Sequence, residues 1–138
     1  MASSINSKVA AVALDFDGVI TNVKVDWKEA LKLASKHAGQ EITSLLTFYE
    51  QYFGTPVFAQ VSSEIEKMEH EALKRSPQVP YIAEFLKAVR QKNVLIYVVS
   101  MQTERVIWSY LEEHDLVGFI KEVVGRERFP SKRAQVQY

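Results

Sequence analysis

The sequence predicts an α/β fold built on a parallel β-sheet. Apolar runs at residues 9–16, 94–99 and 119–124 have the length of buried strands, and stretches with helical spacing lie between them. Strands that alternate with helices imply right-handed βαβ crossovers, which place the strands parallel in one sheet. With 138 residues, of which 47% are hydrophobic, the chain is long enough for one core and too short for two full domains.

Three helices are predicted between the first and second strands. The first covers residues 26–37 and opens with the Asp-x-x-Glu spacing of a capping box. The second covers residues 42–53 and stops before a Gly-Thr-Pro sequence. The third begins after Val57 and stops before a Ser-Pro sequence, because proline disfavours helical backbone in the residue before it. The chain therefore carries a helical insert, residues 23–76, directly after its first strand.

The second half of the chain returns to an alternation of helix and strand. Residues 82–89 place apolar side chains on one helix face, and the strand at 94–99 follows. A helix over residues 102–114 precedes the short strand at 119–124, which closes at a glycine. A final helix is predicted to start near Lys132. This order supports the parallel sheet, because each strand is followed by a helix.

The end of the first strand carries the strongest sign of chemistry. Asp15 and Asp17 lie one residue apart, so alternation along a strand directs both carboxylates to the same side, and Gly18 permits a positive-φ turn. An unpaired polar group at Asp15, inside the apolar run, would be unfavourable by about 2–7 kcal/mol. The residues therefore favour a divalent cation, a phosphate ester or both at this strand end, where open α/β sheets bind ligands. An ordinary Asp-Gly turn is the alternative.

Ser100 is a second candidate, because it follows the strand at 94–99 directly before a predicted helix. A hydroxyl and free helix amides at such a position suit a phosphate oxygen, since the helix dipole favours an anion. The alternative is an ordinary serine at a helix N-cap.

The sequence Leu-Asp-Phe-Asp-Gly-Val-Ile-Thr at residues 14–21 resembles the first motif of the haloacid dehalogenase (HAD) superfamily, whose members are mostly magnesium-dependent phosphohydrolases. The resemblance implies a HAD-like Rossmannoid parallel sheet with a helical cap inserted after the first strand. Residues 1–22 and 77–138 would form the core, and the insert would form the cap. The resemblance further implies that Asp15 is the nucleophile that forms an aspartyl-phosphate.

In the same family pattern, Asp17 would be the general acid and base. Asp15 and the backbone carbonyl of Asp17 would hold the Mg²⁺ cofactor. Ser100, a hydroxyl residue that ends a hydrophobic strand, is similar to the second motif of the family. Together with the turn at Gly18, it is predicted to bind the phosphate.

Lys132 resembles the third HAD motif, a lysine at the start of the helix after the third strand. Its ammonium group would offset the negative charge of the nucleophile and the phosphoryl group, as stabilisation of that transition state requires. Lys132 is therefore predicted to bind the substrate phosphate, and Arg126 and Arg128 are runner-up candidates for the same role. A solvated surface charge is the alternative for each of them.

The sequence ends before a fourth HAD motif, an acidic pair after a further strand. Three explanations stay open: a truncated chain, a shortened family member, or a partner that completes the site. Mg²⁺ would then be held more weakly, and residues 9–16 would become an edge strand that is apolar on both faces. Such an edge predicts a homodimer that pairs this strand with its copy, or cover by residues 129–138.

Composition narrows the function classes. The 17 basic and 17 acidic side chains give no net charge, so bulk electrostatics favours neither nucleic acid nor an anionic membrane as partner. The absence of cysteine excludes disulfides, thiolate metal sites and a cysteine nucleophile. No apolar run approaches the roughly 18 residues of a membrane span, so a soluble, cytoplasmic protein is expected. The three histidines lack ligand spacing and are expected at the surface.

The predicted function is hydrolysis of a small phosphorylated metabolite, a phosphate monoester, by a Mg²⁺-dependent phosphatase whose activity is weak without the fourth motif. The alternative is a catalytically impaired HAD-like module that serves in binding or assembly. Aromatic residues are frequent in the insert, and one or two of them are expected to line a substrate pocket between cap and sheet.

Overall fold

The computed structural model describes residues 9–138 and has a three-stranded parallel sheet at its centre. The strands, in their order across the sheet, are β1 (Ala11–Leu14), β2 (Leu95–Val99) and β3 (Glu122–Val124). Leu14 lies opposite Val98, and Val98 lies opposite Val123. Within the described residues β1 pairs on one side only, so it forms an edge of the sheet. The predicted α/β class with a parallel sheet is confirmed.

Six α-helices accompany the sheet in residues 9–138. They are α1 (Trp27–Ala38), α2 (Leu45–Tyr52), α3 (Pro56–Leu73), α4 (Ile82–Gln91), α5 (Glu104–Glu113) and α6 (Lys132–Gln137). Side-chain oxygens of Ser, Thr or Asp cap five of them by accepting a hydrogen bond from a first-turn amide, which satisfies a donor that the helix leaves free. No described helix is long and apolar enough to cross a membrane.

Several element boundaries differ from the predictions, and three of the differences have a clear cause. β1 ends at Leu14, because the carbonyl of Phe16 already accepts turn hydrogen bonds from the amides that follow. β3 begins later than predicted, since residues Val117–Phe119 form a 3-10 helix. The helix predicted from residue 102 begins at Glu104, because Thr103 is its N-cap.

Two apolar clusters form the interior. The cluster around the sheet consists of Phe16, Ile20, Val23, Leu73, Ile82, Leu86, Ile96, Val98, Val106, Ile107, Tyr110, Leu111, Leu116, Ile120 and Val123. The cluster of the helical insert, α1–α3, consists of Ala30, Ala34, Phe48, Tyr49, Phe58, Val61, Ile65 and Met101. Met101 follows β2, so this side chain joins the insert to the sheet. Each fully buried large apolar side chain contributes about 1.5–3 kcal/mol, and this burial holds the insert over the strand ends.

The two chain segments that connect the insert to the sheet lie side by side. The hydroxyl of Thr21, which is fully buried, donates to the carbonyl of Pro77 at 2.7 Å. The amide of Val79 donates to the carbonyl of Ile20 at 2.8 Å. Tyr110 of α5 donates its hydroxyl to the carbonyl of Ser76 at 3.0 Å. These bonds fix the base of the insert beside the end of β1.

Candidate active site

Asp15 and Lys132 meet at the carboxyl end of the sheet. Asp15 follows β1 directly, and Lys132 is the first residue of α6. The Nζ of Lys132 lies 2.8 Å from Oδ1 of Asp15 and donates to the carbonyl of Val99 at 2.7 Å. The amide of Phe16 donates to the same Oδ1 at 2.7 Å. The side chains of Lys132 and Asp15 are 38% and 45% exposed, so the pair is accessible to a ligand.

Such an exposed ion pair contributes only about 0–1 kcal/mol to stability. Its main consequence is therefore chemical: it places a positive charge beside the carboxylate that is predicted to attack phosphorus. The placement of Lys132 at a helix start agrees with the sequence, although its role there stays a prediction.

Asp17 and Gly18 form the turn that leaves β1. Oδ1 of Asp17 accepts a hydrogen bond from the amide of Val23 at 2.9 Å, which fixes the direction of the carboxylate. Gly18 has a φ of 85°, and its amide donates to the carbonyl of Thr21 at 2.6 Å. The left-handed backbone expected at this glycine is present. Its predicted contact with phosphate stays a prediction.

Ser100 lies at the end of β2 and is almost completely buried. Its hydroxyl donates to the side-chain oxygen of Gln102, and the amide of Gln102 donates to the hydroxyl oxygen at 3.4 Å. Gln135 of α6 donates its side-chain amide to the Ser100 carbonyl at 2.5 Å. Because Thr103 caps α5, Ser100 is not the helix cap. A phosphate oxygen would have to compete with Gln102 for the hydroxyl proton of Ser100.

A cavity of about 310 Å³ opens between the insert and the sheet. Its wall consists of Asp17, Trp27, Leu31, Ser44, Leu45, Leu46, Tyr49, Glu69, Met101 and Gln102. Two aromatic side chains of the insert, Trp27 and Tyr49, therefore line it. The cavity reaches Asp17, and its wall does not include Asp15, Ser100 or Lys132. The ion pair between Asp15 and Lys132 thus lies outside the cavity wall. Asp17, the predicted general acid and base, lies on the wall.

The runner-up Arg126 is not at the phosphate site but is a fully buried link between the insert and the sheet. Its Nη1 lies 3.0 and 3.1 Å from the two carboxylate oxygens of Glu69 in α3. Nε donates to the hydroxyl of Ser62 at 2.8 Å, Nη2 to the carbonyl of Ser62 at 2.8 Å, and Nη1 to the carbonyl of Met101 at 3.1 Å. The guanidinium also lies 5.4 Å from the ring centre of Tyr49. Arg126 therefore holds α3 against the segment that follows β2.

Burial shifts the ionisation of this cluster. Burial raises the pKa of Glu69 to about 7, and the charge of Arg126 limits the rise. Burial acts to lower the pKa of Arg126, but the negative charge of Glu69 and its hydrogen bond hold that pKa above its ordinary value. Burial also raises the pKa of Tyr49 to about 12, so its hydroxyl stays protonated at neutral pH.

The sequence contained a signal that Glu69 needs a buried partner, although not which one. Glu69 lies four residues after Ile65 and thus on the buried face of α3, where an acidic side chain requires a partner. The other runner-up, Arg128, is held by Glu104 at 2.5 Å and Glu122 at 3.1 Å. Both arginines are therefore engaged elsewhere, which leaves Lys132 as the cation beside Asp15 among these candidates.

The histidines lie away from the cavity wall. His37 is 3.0 Å from Glu64, His70 is 3.8 Å from Glu66, and the ring of His114 stacks on Tyr110 at 4.0 Å. In the part of the chain that the structure describes, no group of three or more His, Cys, Asp or Glu side chains is arranged to hold a metal ion. A metal at this site would therefore be held by fewer than three such side chains, with backbone, water or substrate oxygens as its other ligands.

Comparison with known proteins decides the family. The family model of haloacid dehalogenase-like hydrolases matches residues 12–136. The chain belongs to this family. The match includes every predicted site residue of this HAD protein, from Asp15 to Lys132. No sequence among curated proteins matches the chain.

Several solved structures share the HAD fold of the chain. A predicted phosphatase from Clostridium acetobutylicum matches with a TM-score of 0.60 and 14% identity, over 94% of this chain and 68% of that one. A haloacid dehalogenase-like hydrolase from Streptococcus pneumoniae matches with a TM-score of 0.53 and 16% identity, over 87% of this chain and 62% of that one. A predicted phosphoglycolate phosphatase from Haemophilus somnus matches with a TM-score of 0.52 and 13% identity, over 89% of this chain and 65% of that one.

At these identities the likeness shows the fold. The chain spans less than two thirds of the length of the last two structures. The predicted HAD-like Rossmannoid class is confirmed, and so is the predicted membership in a family of hydrolases.

Proposed function

We propose that the protein hydrolyses a small phosphate monoester through an aspartyl-phosphate on Asp15. The observation that carries this proposal is the 2.8 Å contact between the Lys132 ammonium group and the Asp15 carboxylate at the carboxyl end of β1. Phosphoryl transfer depends mainly on positioning and on neutralisation of charge, and this pair supplies a nucleophile together with a fixed positive charge. Family membership supports the hydrolytic chemistry.

In this proposal Asp15 attacks phosphorus, and the bond from phosphorus to the leaving oxygen breaks. Asp17, on the wall of the cavity, donates a proton to that oxygen, so the leaving group departs as an alcohol. Water then attacks the phosphorus of the aspartyl-phosphate, Asp17 takes up a proton of that water, and the bond from phosphorus to the Asp15 oxygen breaks, which releases inorganic phosphate and regenerates the Asp15 carboxylate. Lys132 stays beside Asp15 in both steps and offsets the charge that the phosphoryl group adds.

Mg²⁺ is part of the proposal, and the donor set is compatible with it. Oδ1 of Asp15 is engaged by Lys132 and by the Phe16 amide, which leaves Oδ2 and the backbone carbonyl of Asp17 as donors. Mg²⁺ commonly binds through one or two protein carboxylates and keeps waters or substrate phosphate as its other ligands. When bound, the ion would neutralise charge on the phosphoryl oxygens. Two protein donors predict weak binding that depends on the substrate.

Aspartate-to-asparagine substitutions test the proposal with p-nitrophenyl phosphate and Mg²⁺. Asp15→Asn should abolish turnover, because a carboxamide is a poor nucleophile. Asp17→Asn should suppress turnover, because the amide cannot exchange a proton with leaving group and water. Asp26→Asn is the matched control: Asp26 caps α1, and asparagine caps helices equally well. Retained turnover in Asp15→Asn would remove the nucleophile assignment.

The second candidate function is a HAD-like module that binds its ligand without turnover. The observation that favours it is the hydroxyl of Ser100, which already donates to Gln102 and is almost completely buried. Under this alternative, vanadate binds near Lys132 while wild-type turnover stays at the level of Asp15→Asn. The same assay therefore separates the two functions.

A further inference from the structure

We infer that the cavity beside Asp17 accepts an uncharged, largely apolar leaving group, so that aryl and alkyl phosphates are preferred over substrates with a second anionic group. This inference rests on the proposed function and names its substrate class. Asp17 lies on the cavity wall, so the group that leaves from the phosphoryl site would extend into this cavity. The chemistry of the wall therefore determines which leaving groups bind.

Most of the wall is apolar. Trp27 and Leu31 come from α1, Leu45 and Leu46 come from α2, and Met101 follows β2. The volume of about 310 Å³ lies at the small end of the range of ligand pockets, about 300–1,000 Å³. An aromatic ring or a short alkyl chain would bury its surface against these side chains, which stabilises binding in proportion to the apolar area removed from water.

The charged side chains of the wall are both acidic. They are Asp17 and Glu69, and within residues 9–138 no lysine or arginine belongs to the wall. Arg126 is buried with Glu69, and its three nitrogens donate to Glu69, Ser62 and the Met101 carbonyl, so it has little capacity left for a substrate. A carboxylate or second phosphate on the substrate would face Asp17 without a compensating cation.

Two uncharged polar side chains of the wall, Ser44 and Gln102, already have hydrogen-bond partners. Ser44 caps α2 by accepting the amide of Thr47 at 3.3 Å, and the side-chain oxygen of Gln102 accepts the hydroxyl of Ser100. Sugar hydroxyl groups would compete with these bonds, and a buried polar group that is left without a partner is unfavourable. The wall therefore disfavours polyhydroxylated leaving groups as well as anionic ones.

Turnover and variants test the substrate class. With Mg²⁺ present, kcat/KM for 2-naphthyl phosphate should exceed that for phosphoglycolate by at least about tenfold, a ratio that corresponds to about 1.4 kcal/mol. Leu46→Arg should narrow this ratio, because it adds a cation to the wall at a side chain that is 59% exposed. Leu95→Arg is the matched control, because Leu95 is 46% exposed at the start of β2 and lies outside this cavity.

A binding measurement separates this inference from the proposed function. Phenylphosphonate and phosphonoacetate resist hydrolysis, and Trp27 on the wall reports their binding by fluorescence, with Trp27→Phe to identify its signal. Tighter binding of phenylphosphonate without turnover of any ester would support the inference and refute the proposed hydrolysis. Equal turnover of both substrate classes would support hydrolysis and overturn the inference. Equal or tighter binding of phosphonoacetate, or no binding of either phosphonate, would overturn it too.

Discussion

Replacing Arg126 with methionine should destabilise the protein strongly, because Arg126 is the buried partner of Glu69. Methionine fills much of the same volume but donates no hydrogen bond. The substitution leaves the Glu69 carboxylate, the Ser62 carbonyl and the Met101 carbonyl without their donors. Removal of one partner from a buried ion pair typically costs about 3–5 kcal/mol. Since a domain is stable by only about 5–15 kcal/mol, a large part of its stability would be lost.

The loss of unfolding free energy caused by Arg126→Met should depend on pH in a defined direction. The folded-state pKa of Glu69 is about 7, above the ordinary value of 4.5. The contribution of Glu69 to stability is therefore complete below pH 4.5 and is lost as the pH rises through about 7. In Arg126→Met the ionised carboxylate of Glu69 has no cation beside it. Its penalty should be largest near about pH 8 and smaller near about pH 5.5, where Glu69 takes up a proton.

Urea unfolding followed by tryptophan fluorescence measures these differences. The double variant Arg126→Met/Glu69→Leu should recover much of the loss, because it removes the uncompensated charge as well. Arg128→Met is the matched control, since the partly exposed ion pairs of Arg128 with Glu104 and Glu122 should contribute only about 0–1 kcal/mol. A penalty for Arg126→Met below about 1 kcal/mol near pH 8, or one that does not vary with pH, would refute this reasoning.

Three further predictions concern the turn, the phosphate site and the sheet edge. Gly18→Ala should lower the free energy of unfolding in the same urea titration by about 1–2 kcal/mol, because Gly18 has a φ of 85°. Gly118→Ala is the control and should have a small effect, because Gly118 has no positive φ. Ser100→Ala should weaken vanadate binding in calorimetry by about 0.5–1.5 kcal/mol, the contribution of one hydrogen bond; unchanged affinity would remove Ser100 from the phosphate site. We also propose that β1 pairs with its copy in a homodimer, so sedimentation at micromolar concentration should give the dimer mass; a monomer with fast amide exchange along residues 9–14 would contradict this.

Local patterns predicted the features that depend on few neighbouring residues. The turn at Gly18 and the start of α6 at Lys132 follow from backbone preferences and motif spacing, and both are present in the structure. The ends of the strands were less predictable. The apolar run that suggested a strand through Phe16 continues into a turn, because the Phe16 carbonyl bonds to the amides that follow. Hydrophobicity alone does not distinguish a buried strand from a buried turn.

Long-range polar contacts were the least predictable part of the site. Arg126 and Glu69 are 57 residues apart, and neither local spacing nor composition relates them. The sequence indicates Arg126 only as a candidate cation near the phosphate, because arginine is rarely buried without a partner. The composition of the cavity wall could not be predicted from the sequence either, since the wall combines residues from α1, α2 and α3 with residues that follow β1 and β2.

The hydrogen bonds at the base of the insert also bear on the order of folding. Leu14 of β1 pairs with Val98 of β2 across the whole insert. Loop closure costs about 0.6 kcal/mol more for each doubling of loop length, and contacts between distant residues form slowly. The bond between Val79 and Ile20 joins the two chain segments that flank the insert. A helical insert that folds first therefore shortens the loop that the first pair of strands has to close, so the helices that cover the site also favour formation of the sheet.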